Sequence, residues 1–226
     1  VSKKPLRQRS VRLEKSYHQY LQDERAADFI AAVAEDYSIE TLKRLAQGGK
    51  RVLRRAAMLA LGFLGDYDAN EVMGRGLRDR DRAVRLLAEH GLRQVWFRAG
   101  NPRQYQTLNQ LVRLNDNGLY HEVLSLVAPL LAEAPTLAEA WNQRAIAQFS
   151  LCEFEDSVAD CQRALEINPY HYNAAMGLGH CHLQLEEPES ALDAFRTALQ
   201  INPNLECVRS QIRQLERAQN RGRRDD

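Results

Sequence analysis

Ala164-Leu165-Glu166-Ile167-Asn168-Pro169 returns, nearly unchanged, as Ala198-Leu199-Gln200-Ile201-Asn202-Pro203. Pro135 stands as far before Pro169 as Pro169 stands before Pro203, so the three prolines are evenly spaced. Each phrase carries apolar residues at helical spacing and then a proline that cannot continue a helix. Two helices therefore stop in the same way at a fixed period. A period of this length with helix signals denotes an array of helix hairpins, none of which buries its apolar faces alone, so that each stacks on the next.

The rest of the chain is consistent with helix. Its 226 residues are 44% hydrophobic and 27% charged, with 12 glycines, as in an ordinary globular protein. The net charge of +1 hides an asymmetry. Residues 50–103 hold twelve lysines and arginines against six carboxylates, net +6, whereas residues 104–203 hold four arginines against thirteen carboxylates, net −9. Such halves suit different partners or attraction between copies. Cys152, Cys161, Cys181 and Cys207 form no CxxC pair and fall inside helical patterns, which fits a reducing compartment. No run approaches the roughly 18 apolar residues of a membrane span, and the basic start at Lys3, Lys4, Arg7 and Arg9 leads into no apolar signal segment. The expectation is a cytoplasmic protein with no membrane contact, although the chain opens on Val1 without a methionine.

Residues 1–10 read as a disordered basic arm. Over 11–37 the apolar residues Leu13, Tyr17, Tyr20, Leu21, Ala27, Ile30 and Val33 mark capping helices, with a restart at Asp23. Ser38 is an N-cap for Ile39 to Gln47, and Gly48-Gly49 is expected to end that helix in the left-handed conformation glycine adopts freely. Arg51 to Leu64 follows, then a short helix capped by Asp68, then Arg82 to about Arg98. Leu53-Arg54 aligns with Val84-Arg85 and Leu61 with Leu92, which gives a second, shorter period. On Val52-Leu53-Arg54-Arg55-Ala56-Ala57, Leu61-Gly62-Phe63-Leu64-Gly65-Asp66 and Asp79-Arg80-Asp81, residues 38–100 resemble two HEAT repeats. The resemblance implies a ladder of Asp79 or Asp81 with Arg54 and Arg85. His90-Gly91, Arg93 and Trp96 depart from the pattern, so unusual packing is expected there.

From the Asn101-Pro102 helix start the chain resembles tetratricopeptide repeats over 101–205, in copies at 104–137, 138–171 and 172–205. The second copy is carried by Ala138-Glu139-Ala140-Trp141, Phe154, Ala164 and Pro169, the third by Leu178-Gly179, Ala191, Phe195, Ala198 and Pro203. The first keeps Gly118, Tyr120 and Pro135 but has Val123 and Leu130 at alanine sites, and Pro129 is expected to kink its second helix. A solvating helix at 206–219 and a disordered tail at 220–226 complete the chain. The implied fold is an all-α, right-handed α-α superhelix (α-solenoid) of about eleven helices, HEAT-like repeats first and tetratricopeptide repeats after.

The resemblance implies a concave peptide groove lined by Tyr105, Asn109, Val112, Asn142, Gln143, Ile146, Phe149, Asn173, Met176, His180 and Leu183, with Leu108, Asn115 and Glu139 on the same face. Asparagines among apolar residues suit a segment whose backbone is held by side-chain amides. The basic clamp by which some family members grip an acidic C-terminus would fall on Leu108, Val112, Gln143, Asn173 and Gly177, which carry no cation. A neutral or basic protein or peptide partner is expected. Arg51, Arg54, Arg55, Arg82 and Arg85 offer a basic surface and the alternative of a nucleic-acid-associated protein, with solvated arginines as the plainer reading; self-association also stays open. His180-Cys181-His182, with Cys161 and His171, cannot surround one ion from adjacent helical positions, so no metal is expected. No phosphate loop, dinucleotide fingerprint, HExxH or GxSxG is present. The expectation is a noncatalytic scaffold or adaptor without cofactors.

Overall fold

The computed structural model describes the backbone of residues 6–225 and the side chains of residues 11–219. Among these residues every regular element is helical: thirteen α-helices and one 3-10 turn. The chain divides into two compact units, Val1–Trp96 and Phe97–Asp226.

In the first unit, α1 (Leu6–Asp23) begins inside the stretch expected to be an arm; residues 1–5 lie outside the described residues. Leu13 and Tyr17 are buried, and no glycine or proline between Leu6 and Leu13 stops the helix they anchor. The chain breaks at Glu24, which has φ +55°, and Asp23 accepts a 3.0 Å bond from the Arg25 N–H ahead of α2 (Ala26–Asp36). Phe29 packs on Tyr20 and Phe63 with ring centroids 5.5 and 6.3 Å apart.

Ser38 caps α3 (Ile39–Gly48), its Oγ accepting from Thr41 N–H. The glycines after α3 and after α4 (Arg51–Leu64) do not act through handedness. Gly49 and Gly65 have φ of −74° and −72°, open to any residue. Their N–H groups bond the Leu45 and Leu61 carbonyls at 3.0 and 2.8 Å. A Cβ on either would stand 2.5 Å from that same oxygen, so close approach is what requires glycine.

Asp66, not Asp68, caps the next turn, accepting from the Asp68 N–H at 3.1 Å. A 3-10 turn (Tyr67–Ala69) then leads into α5 (Asn70–Gly76). Asp81 Oδ1 caps α6 (Arg82–Phe97) through the N–H groups of Ala83 and Val84, at 3.0 and 3.2 Å. Gly91, which broke the sequence pattern, marks the point where α4 and α6 touch: a Cβ on Gly62 would lie 3.1 Å from Gly91 Cα. Trp96 is buried and donates from Nε1 to Asn70 Oδ1 at 2.8 Å.

The second unit opens with a capping box between Asn101 and Gln104 at the start of α7 (Pro102–Asp116). Then come α8 (Tyr120–Glu133), α9 (Ala138–Ser150), α10 (Phe154–Ile167), α11 (Tyr172–Gln184), α12 (Pro188–Ile201) and α13 (Glu206–Asp225). The starts of α8, α10 and α12 recur at the interval of the three prolines. So do the turn residues with positive φ, Gly118, Cys152 and Glu186, at +73°, +63° and +60°. The hairpin α7/α8 thus keeps the phase of the two that follow. Its Val123 and Leu130, standing at alanine sites, are 0% and 5% exposed and help fill the core with Leu108, Leu111 and Val127. α8 runs through Pro129 without a break. α13 packs on α12 through buried Val208 and Ile212 and continues to Asp225, beyond the end expected at residue 219, with no proline to stop it.

Candidate peptide-binding surface

The first helices of the hairpins, α7, α9 and α11, pack on one another as well as on their partners, whereas no comparable contact joins α8, α10 and α12. A two-layered stack whose layers are unequally close bends toward the tighter one. The face of α7, α9 and α11 is therefore the concave wall of this unit.

Residues expected on that wall divide into two strips. Toward the beginnings of α9 and α11 lie polar groups, joined by Asn115 from the last turn of α7, and the central ones are occupied by each other. Asn142 and Gln143, expected to hold a ligand backbone, are 4% and 6% exposed. Their amides donate to Glu139 Oε1 at 3.2 and 2.7 Å. Asn115 Nδ2 donates to Gln143 Oε1 at 2.9 Å and to its carbonyl at 3.0 Å, tying α7 to α9. His171 closes the network from the start of α11: Nδ1 accepts from the Ala174 N–H, so the proton sits on Nε2, which donates to Glu139 Oε2 at 3.2 Å. Burial pushes the Glu139 carboxyl up, but the hydrogen bonds from His171, Gln143 and Asn142 outweigh it and hold the group below its ordinary value. Gln143 thus ties its repeat to the one before and Glu139 ties it to the one after, while Asn142 supports Glu139 from the same helix. Asn109 also donates inward, to the Tyr105 carbonyl at 2.7 Å.

Toward the helix ends the strip is apolar. Ile146 is 42% exposed, and Val112, Phe149, His180 and Leu183 are half-buried beside it. His180 sits edge-on between Phe149 and Phe195, at 6.5 and 5.2 Å, and burial lowers its pKa, so at neutral pH it is an uncharged part of this strip. Tyr105 is 39% exposed, and Asn173 and Met176 are half-buried on the same wall.

The other groups singled out in the sequence have structural employment. Arg54 is 5% exposed and grips Asp79 with two bonds of 2.8 and 2.9 Å; Arg55 grips Asp81 at 2.9 and 2.7 Å. Arg85 donates to the Asp79 carbonyl at 2.9 Å. The expected ladder is thus made by Arg54 with Asp79 and extended by Arg55 with Asp81. Of the five arginines assigned to a basic surface, Arg51 and Arg82 are exposed. His182 bonds Glu187 at 2.7 Å, and Cys181 donates to Ser157 Oγ at 3.1 Å. Cys161 and Cys181 are both buried, and the hydrogen bond to Cys181 pushes the Cys161 thiol up.

The hairpins also match a known family at the level of sequence. The model of the tetratricopeptide repeat family matches residues 138–171 and 172–205. Residues 138–205 are tetratricopeptide repeats. The boundaries coincide with the hairpins α9/α10 and α11/α12 and with those read from the prolines. A TPR repeat-containing protein of Rhizobium etli is 26% identical over 142 residues, 61% of this chain and 67% of that protein. Sperm-associated antigen 1 of Mus musculus is 28% identical over 45% of this chain, and anaphase-promoting complex subunit 7 of Dictyostelium discoideum 30% identical over 44%. The chain spans 11% and 17% of the length of these last two. Among solved structures, the TPR2AB domain of yeast Sti1 in an Hsp90 peptide complex aligns over 91% of this chain and 96% of its own, with TM-score 0.46 and 18% identity. MamA from Desulfovibrio magneticus aligns over 85% and 94%, with TM-score 0.41 and 16% identity. No helix among the described residues is long and apolar enough to cross a membrane.

Proposed function

We propose that this protein is a noncatalytic interaction scaffold whose tetratricopeptide repeats hold a segment of a partner protein against the wall of α7, α9 and α11. The observation that carries the reading is Ile146. A large apolar side chain 42% exposed at the middle of a wall, flanked by half-buried Val112 and Phe149, is where a partner gains most by excluding water. The first unit serves as an adaptor element, read as two HEAT-like hairpins tied by the Arg54–Asp79 and Arg55–Asp81 pairs. Nucleic acid loses ground as a ligand of that unit because Arg54, Arg55 and Arg85 are spent on its own carboxylates and carbonyls. Four free cysteines, two of them buried, suit a reducing compartment such as the cytoplasm.

Placing a photo-crosslinking amino acid at position 146, and in a second sample at exposed Gln162 on α10, tests the reading in cells of the source organism. A discrete crosslinked protein from position 146 and none from 162 is the expected result. Equal labelling from both positions would refute it.

A further inference from the structure

The apolar strip has a charged border. Asp116, Glu122, Glu153, Glu155, Asp156, Glu186, Glu187 and Glu189 all fall in or beside the turns that join the two helices of each hairpin, and all eight are exposed. Those turns follow directly on the ends of α7, α9 and α11, where Val112, Ile146, Phe149, His180 and Leu183 lie. Between residues 114 and 195 the only arginines are Arg144 and Arg163, and there is no lysine. Arg144 is bound to Asp160, with Asp156 acting on it only through its charge, and Arg163 to Glu166; of the eight turn carboxylates Glu187 bonds His182.

Helix capping accounts for part of this border and not for the rest. Glu122, Glu155, Asp156 and Glu189 occupy first turns of α8, α10 and α12, where the helix dipole favours an anion. Glu153 and Glu187 are the N-cap residues of α10 and α12, also at the favourable dipole end though neither side chain bonds its helix, which leaves Asp116, at the end of α7 where the dipole disfavours an anion, and Glu186, in the turn before α12. The carboxylates also recur with the structural period: Glu122 with Asp156, Glu153 with Glu187 and Glu155 with Glu189, each pair exactly one repeat apart. Repetition in register gives a row of negative charge running alongside the row of apolar side chains.

The spacing of the rows fixes the form of what fits them. Stacked helices lie about 8 to 10 Å apart, so Val112, Ile146 and His180, one per helix, recur at that step. Seven residues of an α-helix rise about 10.5 Å and return to the same face, whereas two residues of a strand rise only about 6.7 Å. A helix with an apolar residue at every seventh position matches the wall, and cations along one flank match the border. We infer that the apolar strip of α7, α9 and α11 receives a cationic amphipathic helix of a partner protein, its apolar face on Ile146 and its neighbours and its lysines or arginines toward the turn carboxylates. This rests on the reading that the concave wall takes a protein segment and adds the chemistry of that segment.

The test uses the full chain and fluorescent peptides in anisotropy titrations. One peptide is an amphipathic leucine–lysine helix, one its leucine–glutamate counterpart, and one a scramble of the first with equal charge and no stripe. At about 50 mM salt the lysine helix is expected to bind at least about tenfold more tightly than either of the others. Ile146→Ser and the triple variant Glu153→Gln/Glu155→Gln/Glu186→Gln should each weaken it by about three- to tenfold, the triple variant losing its effect at high salt. Equal binding of the lysine and glutamate helices, with both weakened by Ile146→Ser, overturns the cationic assignment and leaves the groove standing. Binding that ignores Ile146→Ser, or no binding of any peptide, overturns both.

Discussion

Gly179 shows how little room a single position leaves. A Cβ built there falls 2.5 Å from the Phe195 ring, so even alanine forces α11 away from α12. Gly179→Ala should therefore destabilise the second unit by about 1 to 3 kcal/mol, read as a lower urea midpoint with unchanged m-value. Glu186 poses the opposite case. Its φ of +60° places an L-residue in the left-handed region, which costs about 1 to 2 kcal/mol, while the partners at the same phase include Gly118. Replacing it with glycine relieves the strain and adds some freedom to the unfolded chain, so Glu186→Gly should stabilise by up to about 1 kcal/mol. A lower midpoint would show that its side chain matters more than its backbone. Neither magnitude is written in the sequence, because one depends on which atom stands opposite Gly179 and the other on the backbone angle at Glu186.

Among the elements, the pairing of α4 with the turn before α6 makes a prediction about pH. The Arg55 guanidinium lowers the Asp81 carboxyl to about 2, below its ordinary 3.8, helped by the Val84 and Ala83 N–H groups. Asp79 is also lowered: its bonds to Arg54 and the Asp81 N–H outweigh burial, which acts the other way. A depressed carboxyl contributes stability that is complete above its unfolded value near 4 and disappears as pH falls toward the folded one. The first unit should then lose on the order of 2 kcal/mol between about pH 4 and pH 2 through Asp81. Asparagine is as good a cap as aspartate, so Asp81→Asn keeps the start of α6 and removes the charge. The variant's thermal midpoint should fall less steeply across that window; an unchanged slope would assign the acid sensitivity elsewhere.

The same elements show what could be read without coordinates. Pro135, Pro169 and Pro203 placed the hairpins because a helix terminator acts locally and repeats visibly. The ladder was half legible: Arg54 and Asp79 were named together, but Arg55 meeting Asp81 depends on the angle at which α4 passes the turn. Gly49 reads as a stop for the wrong reason, since composition marks a glycine and not whether it is needed for φ or for space. On the wall of α7, α9 and α11, Asn142 and Gln143 read from the sequence as open to a ligand, whereas both are buried and bonded to Glu139. Whether an amide faces solvent or a carboxylate on its own helix is decided by Glu139, Asn115 and His171, which the fold brings together from three successive hairpins.

At the scale of the whole molecule the division after Trp96 has a consequence for how much of the chain is needed to fold. In a stack of repeats, stability is close to a sum of weak hairpins and strong interfaces, so length decides whether the sum is positive. The second unit holds three interlocked hairpins, with its own capping box at Asn101 and a covering helix, α13, on the far end. Residues 97–226 expressed alone should give a helical far-UV spectrum and a cooperative urea transition. Residues 97–137 hold one hairpin, whose Leu108, Leu111, Val123 and Val127 lose the cover of Ala140 and Ala147 on α9. That fragment should be largely unfolded. Adding back α9 and α10, to residue 171, restores one interface and the Asn115–Gln143 bond, and should recover a transition at lower urea than 97–226 gives. A one-hairpin fragment as stable as the three-hairpin one would mean that the hairpins are self-sufficient, and the stacking on which the concave wall depends would then have no energetic basis.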